Sequence, residues 1–316
     1  MSAGREENFK SGFVALLGKP NVGKSTLINT LLGEKLAAVT PKPQTTRNRI
    51  RGILHRTKSQ IVFLDTPGVH DAMDELNKRM VKAALDTIAD SDLIMFIVDA
   101  FDKTRNSDLD NTPDKKERIL MDSLDSTKHR VLLTMNKIDK VKDNTLLERL
   151  EKHYRKIFGF YAGYRISALT GLGLDDMVAD LESMLPPGPQ YFPSDMYTDS
   201  DLRFLASEII REKLMIRLKD EIPYQLAVTI ERWKEGASKA KGKSVTAIGA
   251  TIHVERNSQK GIVIGRRGNV LKEIGVQARK DLEELIGNQV FLELIVKVSR
   301  NWTRNPGALE RFGYRE

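Results

Sequence analysis

Short apolar runs alternate with longer stretches of helical periodicity over the first 185 residues of the chain. Residues 13–17, 60–64, 93–98, 131–136 and 164–167 are short and rich in β-branched and aromatic side chains, and they predict strands. Residues 24–32, 75–89, 113–125, 146–158 and 174–185 place apolar side chains three and four positions apart and predict helices. Strand and helix in alternation imply α/β units wound around a mostly parallel sheet. The polar stretch 102–114 reads as a mobile loop, residues 1–10 as a flexible N-terminus, and no fixed-period repeat is present.

The pattern changes after Leu185, where Pro186, Pro187, Pro189 and Pro193 end the helical periodicity because proline lacks an amide donor and restricts its predecessor. The sequence thus predicts a domain over 11–185, a linker over 186–200, a second domain over 201–300 and a tail over 301–316. Within the second part, residues 201–218 and 271–285 are helical, and 225–233, 245–255 and 289–298 are strand-like. This is an α+β arrangement.

Charge separates the same two parts. The chain of 316 residues carries 51 Lys and Arg against 43 Asp and Glu, and between Arg232 and Arg304 there are 15 basic and 7 acidic residues, a local excess as large as the whole surplus of eight. Residues 1–189 are nearly balanced, with 29 basic and 26 acidic. A basic second part points to a polyanionic partner. The absence of cysteine excludes disulfides, thiolate nucleophiles and sulfur-ligated metals, and suits a reducing compartment. The five histidines form no HxxxH pair, so imidazole-bound transition metals are not expected. No run of about 18 apolar residues occurs, so any membrane contact is expected to be peripheral.

Candidate chemistry lies at the ends of the predicted strands. Strand 13–17 runs into Gly18-Lys19-Pro20-Asn21-Val22-Gly23-Lys24-Ser25-Thr26 and then a helix, the strand, loop and helix setting of a phosphate-binding loop. Its backbone amides would surround phosphate oxygens, Lys24 would reach the β- and γ-phosphates, and Ser25 would meet Mg²⁺. Asp65-Thr66-Pro67-Gly68 puts a Mg²⁺-directed carboxylate at a strand end. Asn136-Lys137-Ile138-Asp139 supplies a carboxylate that matches the N1–H and 2-amino donors of guanine and finds none on adenine, which points to GTP. Ser167-Ala168-Leu169 would back the guanine carbonyl with a main-chain amide.

This order of motifs resembles the translation-factor class of P-loop GTPases over about residues 11–185. The resemblance implies a switch threonine at Gln44-Thr45-Thr46-Arg47, with Thr46 favoured over Thr45 as the third Mg²⁺ ligand beside Ser25 and Asp65. Val69 stands where Ras-like enzymes carry the water-orienting glutamine, so intrinsic turnover is expected to be slow, roughly 10⁻⁴–10⁻³ s⁻¹ without assistance. The sequence is similar to GTPases with a hydrophobic residue there, in which an asparagine at the place of Asn21 helps hold K⁺. The resemblance therefore makes Lys24, Thr46 and Asn21 the catalytic candidates and K⁺ a candidate cofactor beside Mg²⁺.

In the basic part, Ile264-Gly265-Arg266-Arg267-Gly268 joins an apolar segment to an amphipathic helix and resembles the GxxG loop of a type II KH domain. Small residues let single-stranded RNA pass close to the backbone, while Arg266, Arg267, Lys260 and Lys272 would neutralise phosphates. Lys239, Lys241 and Lys243 read as a solvated hairpin turn compatible with nonspecific phosphate contact. Trp302 and Tyr314 either stack on bases or pack the tail.

Both parts together resemble the bacterial Era family of GTPases over roughly residues 11–315. That resemblance implies a cytoplasmic, monomeric GTP-hydrolysing switch that binds the 3′ end of 16S ribosomal RNA and acts in 30S subunit assembly, with no DNA partner and with at most peripheral contact with the inner membrane. A nucleotide-stabilised RNA scaffold and a membrane-surface signalling GTPase are the alternatives.

Overall fold

The computed structural model describes residues 9–68, 75–105, 112–125, 128–240 and 243–314. They fall into two compact units: one gathers residues up to 37, 46–72 and 80–199, the other 38–45, 73–79 and 200–316.

The first unit is built on a six-stranded sheet in the order β2-β3-β1-β4-β5-β6. In chain order the strands are β1 (Lys10–Leu17), β2 (Ile50–His55), β3 (Ser59–Asp65), β4 (Leu93–Asp99), β5 (Arg130–Asn136) and β6 (Ala162–Arg165). All neighbours are parallel except β2, which turns back on β3 through a hairpin closed by the Arg56 amide on the Ser59 carbonyl oxygen. Side chains alternate across the pleat, so Val14, Leu16, Met95 and Ile97 pack against α1 (Lys24–Leu32) and α6 (Leu174–Met184). Ala15, Leu17, Phe96 and Val98 pack on the opposite face against α2 (Glu75–Ala89), α4 (Lys115–Asp122) and α5 (Asn144–Ile157). A sheet covered on both faces accounts for the near-continuous apolar runs in the sequence.

The expected α/β architecture is present, with three differences in detail. Strand β2 was not anticipated, because Ile50–His55 is an edge segment whose pattern is broken by Arg51, Gly52 and the partly exposed Leu54 and His55. The first residues of the loop expected over 102–114 belong to α3 (Ala100–Arg105), while residues 106–111 lie outside the described ones. Most of the stretch 186–200, read from its prolines as a linker, groups with the first unit: Gln60 bonds the main chain of Tyr191 and Phe192, and the Ile53 amide donates to the Tyr197 carbonyl oxygen. The N-terminal stretch up to residue 8 is outside the described residues.

The second unit follows the order α7 (Leu202–Arg217), β7 (Leu226–Ala240), β8 (Lys243–Val254), α8 (Asn257–Ile264), α9 (Asn269–Ile286) and β9 (Gln289–Val298). Strands β7 and β8 are antiparallel, and β9 joins β8 in parallel. Ile209, Ile210, Ile274, Ala278 and Leu282 of α7 and α9 bury against Ile248, Ala250 and Ile252 of β8. The segment 262–264, apolar in sequence, is the end of helix α8. The hairpin tip at residues 241–242 lies outside the described residues.

The tail is folded onto this unit. Trp302 is fully buried, donates through Nε1 to the Gln225 carbonyl oxygen at 3.1 Å and stacks on Tyr314; α10 (Pro306–Arg311) follows. The base-stacking alternative for Trp302 is thereby corrected: its indole is consumed in packing.

Candidate nucleotide site and nucleic-acid groove

The carboxyl ends of parallel strands are where α/β sheets place ligand sites, because the loops there splay apart and helix N-termini point inward. Strand β1 ends at Leu17 and leads through residues 18–23 into α1, whose first residue is Lys24. Gly23 caps this helix at φ 105, and a Cβ there would lie 2.2 Å from Asn136 Nδ2. Only glycine lets the two loops approach this closely.

Lys24 is buried, and its Nζ donates to the carbonyl oxygens of Gly18 (2.9 Å) and Lys19 (3.0 Å). Burial lowers its pKa to about 8, with the Asp65 carboxylate pulling the other way. At the end of β3, Asp65 is fully buried, and desolvation raises its pKa against the opposing influence of Lys24 and of the hydroxyls of Ser25 and Thr46. Ser25 Oγ lies 2.6 Å from Asp65 Oδ2 and 2.9 Å from Thr46 Oγ1, and Thr46 Oγ1 lies 3.3 Å from the same carboxylate oxygen.

Two hydroxyls and a carboxylate converging on one point form a hard oxygen donor set of the kind Mg²⁺ uses. Asp65 Oδ1, buried without a hydrogen-bond partner among the described residues, is a further lone-pair donor that a cation would satisfy. The residues therefore fit Mg²⁺. Thr45 turns elsewhere: its hydroxyl bonds Thr40 Oγ1 (2.7 Å) and the Lys42 carbonyl oxygen (2.8 Å).

The base-directed motifs meet at Asn136. Its Nδ2 donates to the Val22 carbonyl oxygen (2.7 Å), and its Oδ1 accepts from the amides of Lys137 (2.8 Å) and Ala168 (2.9 Å). Lys137 Nζ reaches the Asn21 carbonyl oxygen (2.7 Å) and Asp99 Oδ2 (2.5 Å). Asp139 is exposed in a 3-10 turn beyond them, and Leu169 is also exposed. Thr66 anchors its loop by donating to the Leu16 carbonyl oxygen at 2.7 Å, with Pro67 and Gly68 buried after it; Val69 lies outside the described residues. Asp99 was not singled out in the sequence. Its place at the end of β4, level with Asn136 of β5, was the available signal.

Of the expected metal and nucleotide residues, Gly18, Lys24, Ser25, Thr46 and Asp65 form one cluster, and Val22, Asn136, Lys137 and Ala168 a second joined to it through the loop. Pro20 and Thr26 are half-buried, and Ser167 is fully buried with its Oγ accepting from the Thr170 amide at 3.2 Å. The side chain of Lys19 is bonded to Asp114.

In the second unit, Gly265 adopts φ 72 and ψ 173, and a Cβ there would meet Val270 Cγ2 at 2.4 Å. Arg266 and Arg267 are exposed in the turn that follows, and Gly268 caps α9. A groove beside this turn is lined by Gly268, Leu271, Lys272, Arg279 and Leu294, with Phe291 of β9 still 58% exposed. Apolar walls with cations at the rim suit unstacked bases and their phosphates. Lys260 and Ile264 stand on α8, outside the groove lining.

Comparison with known proteins matches residues 13–137 to a family described as 50S ribosome-binding GTPase and residues 221–303 to the KH domain. GTPase Era of Syntrophus aciditrophicus is 45% identical over 315 residues, covering 100% of this chain and 98% of that protein. GTPase Era of a Geobacter species is 47% identical over 310 residues, covering 98% of this chain and 99% of its own. Among solved structures, Era in complex with MgGDPNP and nucleotides 1506–1542 of 16S ribosomal RNA superposes with a TM-score of 0.90 at 39% identity, covering 98% of this chain and 100% of the other. A point variant of Aquifex aeolicus Era bound to GDP and aluminium fluoride gives 0.86 at 38% identity, with the same coverage.

Proposed function

The chain belongs to the GTPase Era family, and from that premise we propose that it is a GTP-controlled switch that binds the 3′ end of 16S ribosomal RNA during assembly of the 30S subunit. As a member of this family it is a GTPase, converting GTP and water to GDP and phosphate.

Hydrolysis rests on positioning and charge. The triphosphate draws Lys24 from the Gly18 and Lys19 carbonyl oxygens to its own β- and γ-oxygens, and the amides of residues 19–24 close around them. Ser25, Thr46 and Asp65 would hold Mg²⁺, which neutralises phosphate charge when bound. Asp139 would select guanine, and the Asn136 bonds to Val22 and Ala168 keep the base and phosphate loops in register. No residue in this set activates water as a glutamine would, so turnover is slow. Asn21, in the phosphate loop at φ 65, is the candidate for K⁺ stimulation.

One observation carries the switch. One of the places where the chain passes from one unit to the other is the Thr45–Thr46 peptide bond. Thr46 gathers with Ser25 and Asp65, while the Thr45 carbonyl oxygen accepts from the fully buried Arg211 of α7, itself paired with Glu208. A γ-phosphate that orders Thr46 thus acts one peptide bond away from a residue held by the second unit. The RNA reading is supported by the GxxG turn and its groove, and by the 16S fragment bound to the Era relative.

The RNA-contacting set we propose is Gly265, Arg266, Arg267, Gly268 and Lys272, with Lys260 and Ile264 supporting from α8. Among the described residues no helix is long and apolar enough to cross a membrane, and we place the protein in the cytoplasm as a monomer, with any inner-membrane contact peripheral. The test is binding of a 16S 3′-end oligonucleotide and a scrambled control, each with GTP analogue and with GDP at one fixed salt concentration. The switch predicts a sequence preference and a nucleotide effect of about 5- to 150-fold on RNA affinity. Equal affinity in both nucleotide states leaves the scaffold alternative.

A further inference from the structure

Four charged side chains and a tyrosine meet beside the phosphate loop, outside the phosphate and base contacts. Lys103 of α3 donates to Glu117 Oε2 at 2.6 Å and to Asp114 Oδ2 at 3.2 Å. Lys19 Nζ bonds the same Asp114 oxygen and lies 3.8 Å from Glu117 Oε1. Tyr154 Oη donates to Glu117 Oε2 at 3.0 Å from the core side, and the Asp114 amide donates to that oxygen as well, also at 3.0 Å. Glu117 and Tyr154 are almost fully buried. Two cations and two carboxylates leave the cluster neutral.

Asp114 holds both ends of this arrangement. Its Oδ1 caps α4 by accepting from the amides of Lys116 and Glu117, and its Oδ2 takes the two lysines. Burial disfavours the Asp114 charge, but the Lys19 bond, the Glu117 amide and Lys103 outweigh it and lower its pKa to about 2. For Lys19 the same contest ends in a raised pKa, the bond to Asp114 and the charges of Glu117 and Asp114 outweighing desolvation.

The main chain of Lys19 meanwhile sits in the nucleotide site, where its carbonyl oxygen accepts from Lys24 Nζ. We infer that Asp114 is a positioning residue for the nucleotide site, acting through Lys19: the side-chain tether fixes the first turn of the phosphate loop, and with it the amides and the Lys24 ammonium that receive the phosphates. Lys19 is then a strut rather than a phosphate ligand, since its charge is already matched by carboxylates. This rests on the GTPase reading of the same site.

The two roles separate in a double-mutant cycle on the full-length protein, using Lys19→Met, Asp114→Asn and both, with the affinity for a GTP analogue, kcat and KM as readouts. Asparagine caps a helix about as well as aspartate, so Asp114→Asn removes the charge and keeps the cap. A strut predicts that each single variant weakens analogue binding and raises KM by about tenfold, that the double variant is no weaker than the worse single one, and that Lys19→Arg restores most of the loss. A phosphate ligand predicts the reverse for the carboxylate: Asp114→Asn frees the lysine and leaves binding unchanged or tighter, which overturns the inference. Additive losses overturn it equally. Thermal melts of the nucleotide-free variants show whether a loss is merely unfolding; a variant that melts early is replaced by Lys19→Gln or Asp114→Ser in the same cycle. Failure of the wild-type protein to bind the guanine nucleotide rejects the GTPase reading itself, and is distinct from unaltered variants.

Discussion

Ser25 Oγ donates to Asp65 Oδ2 at 2.6 Å, closing a contact between residues 40 apart in the chain. The bond is made with Asp65 Oδ1 unpartnered among the described residues, so the carboxylate is arranged for an additional positive charge. Asp65→Asn keeps the shape and removes the carboxylate's negative charge. GTP turnover should fall by at least about a hundredfold, and titration with Mg²⁺ should no longer tighten GTP binding. A magnesium response equal to that of the wild type would remove Asp65 from the metal site.

Asp139 is exposed beyond Asn136, where a base can reach it. Asp139→Asn replaces an acceptor-only group by one that also donates, which suits the carbonyl of xanthine better than the amino group of guanine. Affinity for GTP should drop at least about a hundredfold while affinity for xanthosine triphosphate rises, as read by competition against a fluorescent nucleotide.

Arg266 and Arg267 are exposed in the GxxG turn. Replacing both by Ala should weaken RNA binding and reduce the slope of log affinity against log salt by about 1–2, the number of phosphate contacts removed, with GTP turnover unchanged. An unaltered salt slope would place the RNA backbone elsewhere.

His253 is buried between Thr229 Oγ1 and Ser299 Oγ, each at 3.0 Å, and stacks on Phe312 at 4.1 Å. Burial lowers its pKa from 6.5 to about 4, with Glu231 opposing and Lys297 and Arg311 assisting. The unfolded chain therefore binds the proton first: the stability of the neutral imidazole is complete above about pH 6.5 and is lost as pH falls from there toward 4. Denaturation of the second unit followed by Trp fluorescence should move down by a few degrees over that range. His253→Asn should flatten the dependence.

Trp302 is fully enclosed, so Trp302→Ala should destabilise the second unit by about 3–5 kcal/mol in urea unfolding. A variant that folds normally and loses only RNA affinity would return the indole to base stacking.

The phosphate loop, DTPG and NKID were legible because each needs fixed residue types at a fixed spacing, between elements whose periodicity is plain. Thr45 and Thr46 could not be separated by spacing; the folded chain separates them, since one hydroxyl faces Thr40 and the other Ser25. Lys19 illustrates the opposite limit. Within the motif it reads as one more cation near phosphate, and only the approach of Asp114, 95 residues later, shows where its charge is spent. The packing of residues 187–199 was hidden for a similar reason: prolines announce the end of a helix and say nothing about which strand edge the chain follows next.

Asn136 connects three stretches of chain through one carboxamide: Val22 on the phosphate side, Ala168 on the base side and its own strand end. No other amino acid offers both a donor and an acceptor at that length; aspartate would keep the bonds from the Lys137 and Ala168 amides and lose the one to Val22. A change at this position consequently disturbs the segment on the phosphate side and the segment on the base side from a single side chain. In a saturation library selected only for binding of GDP, or only for guanine discrimination, position 136 should show the same intolerance, whereas Asp139 should be constrained by the second selection far more than by the first.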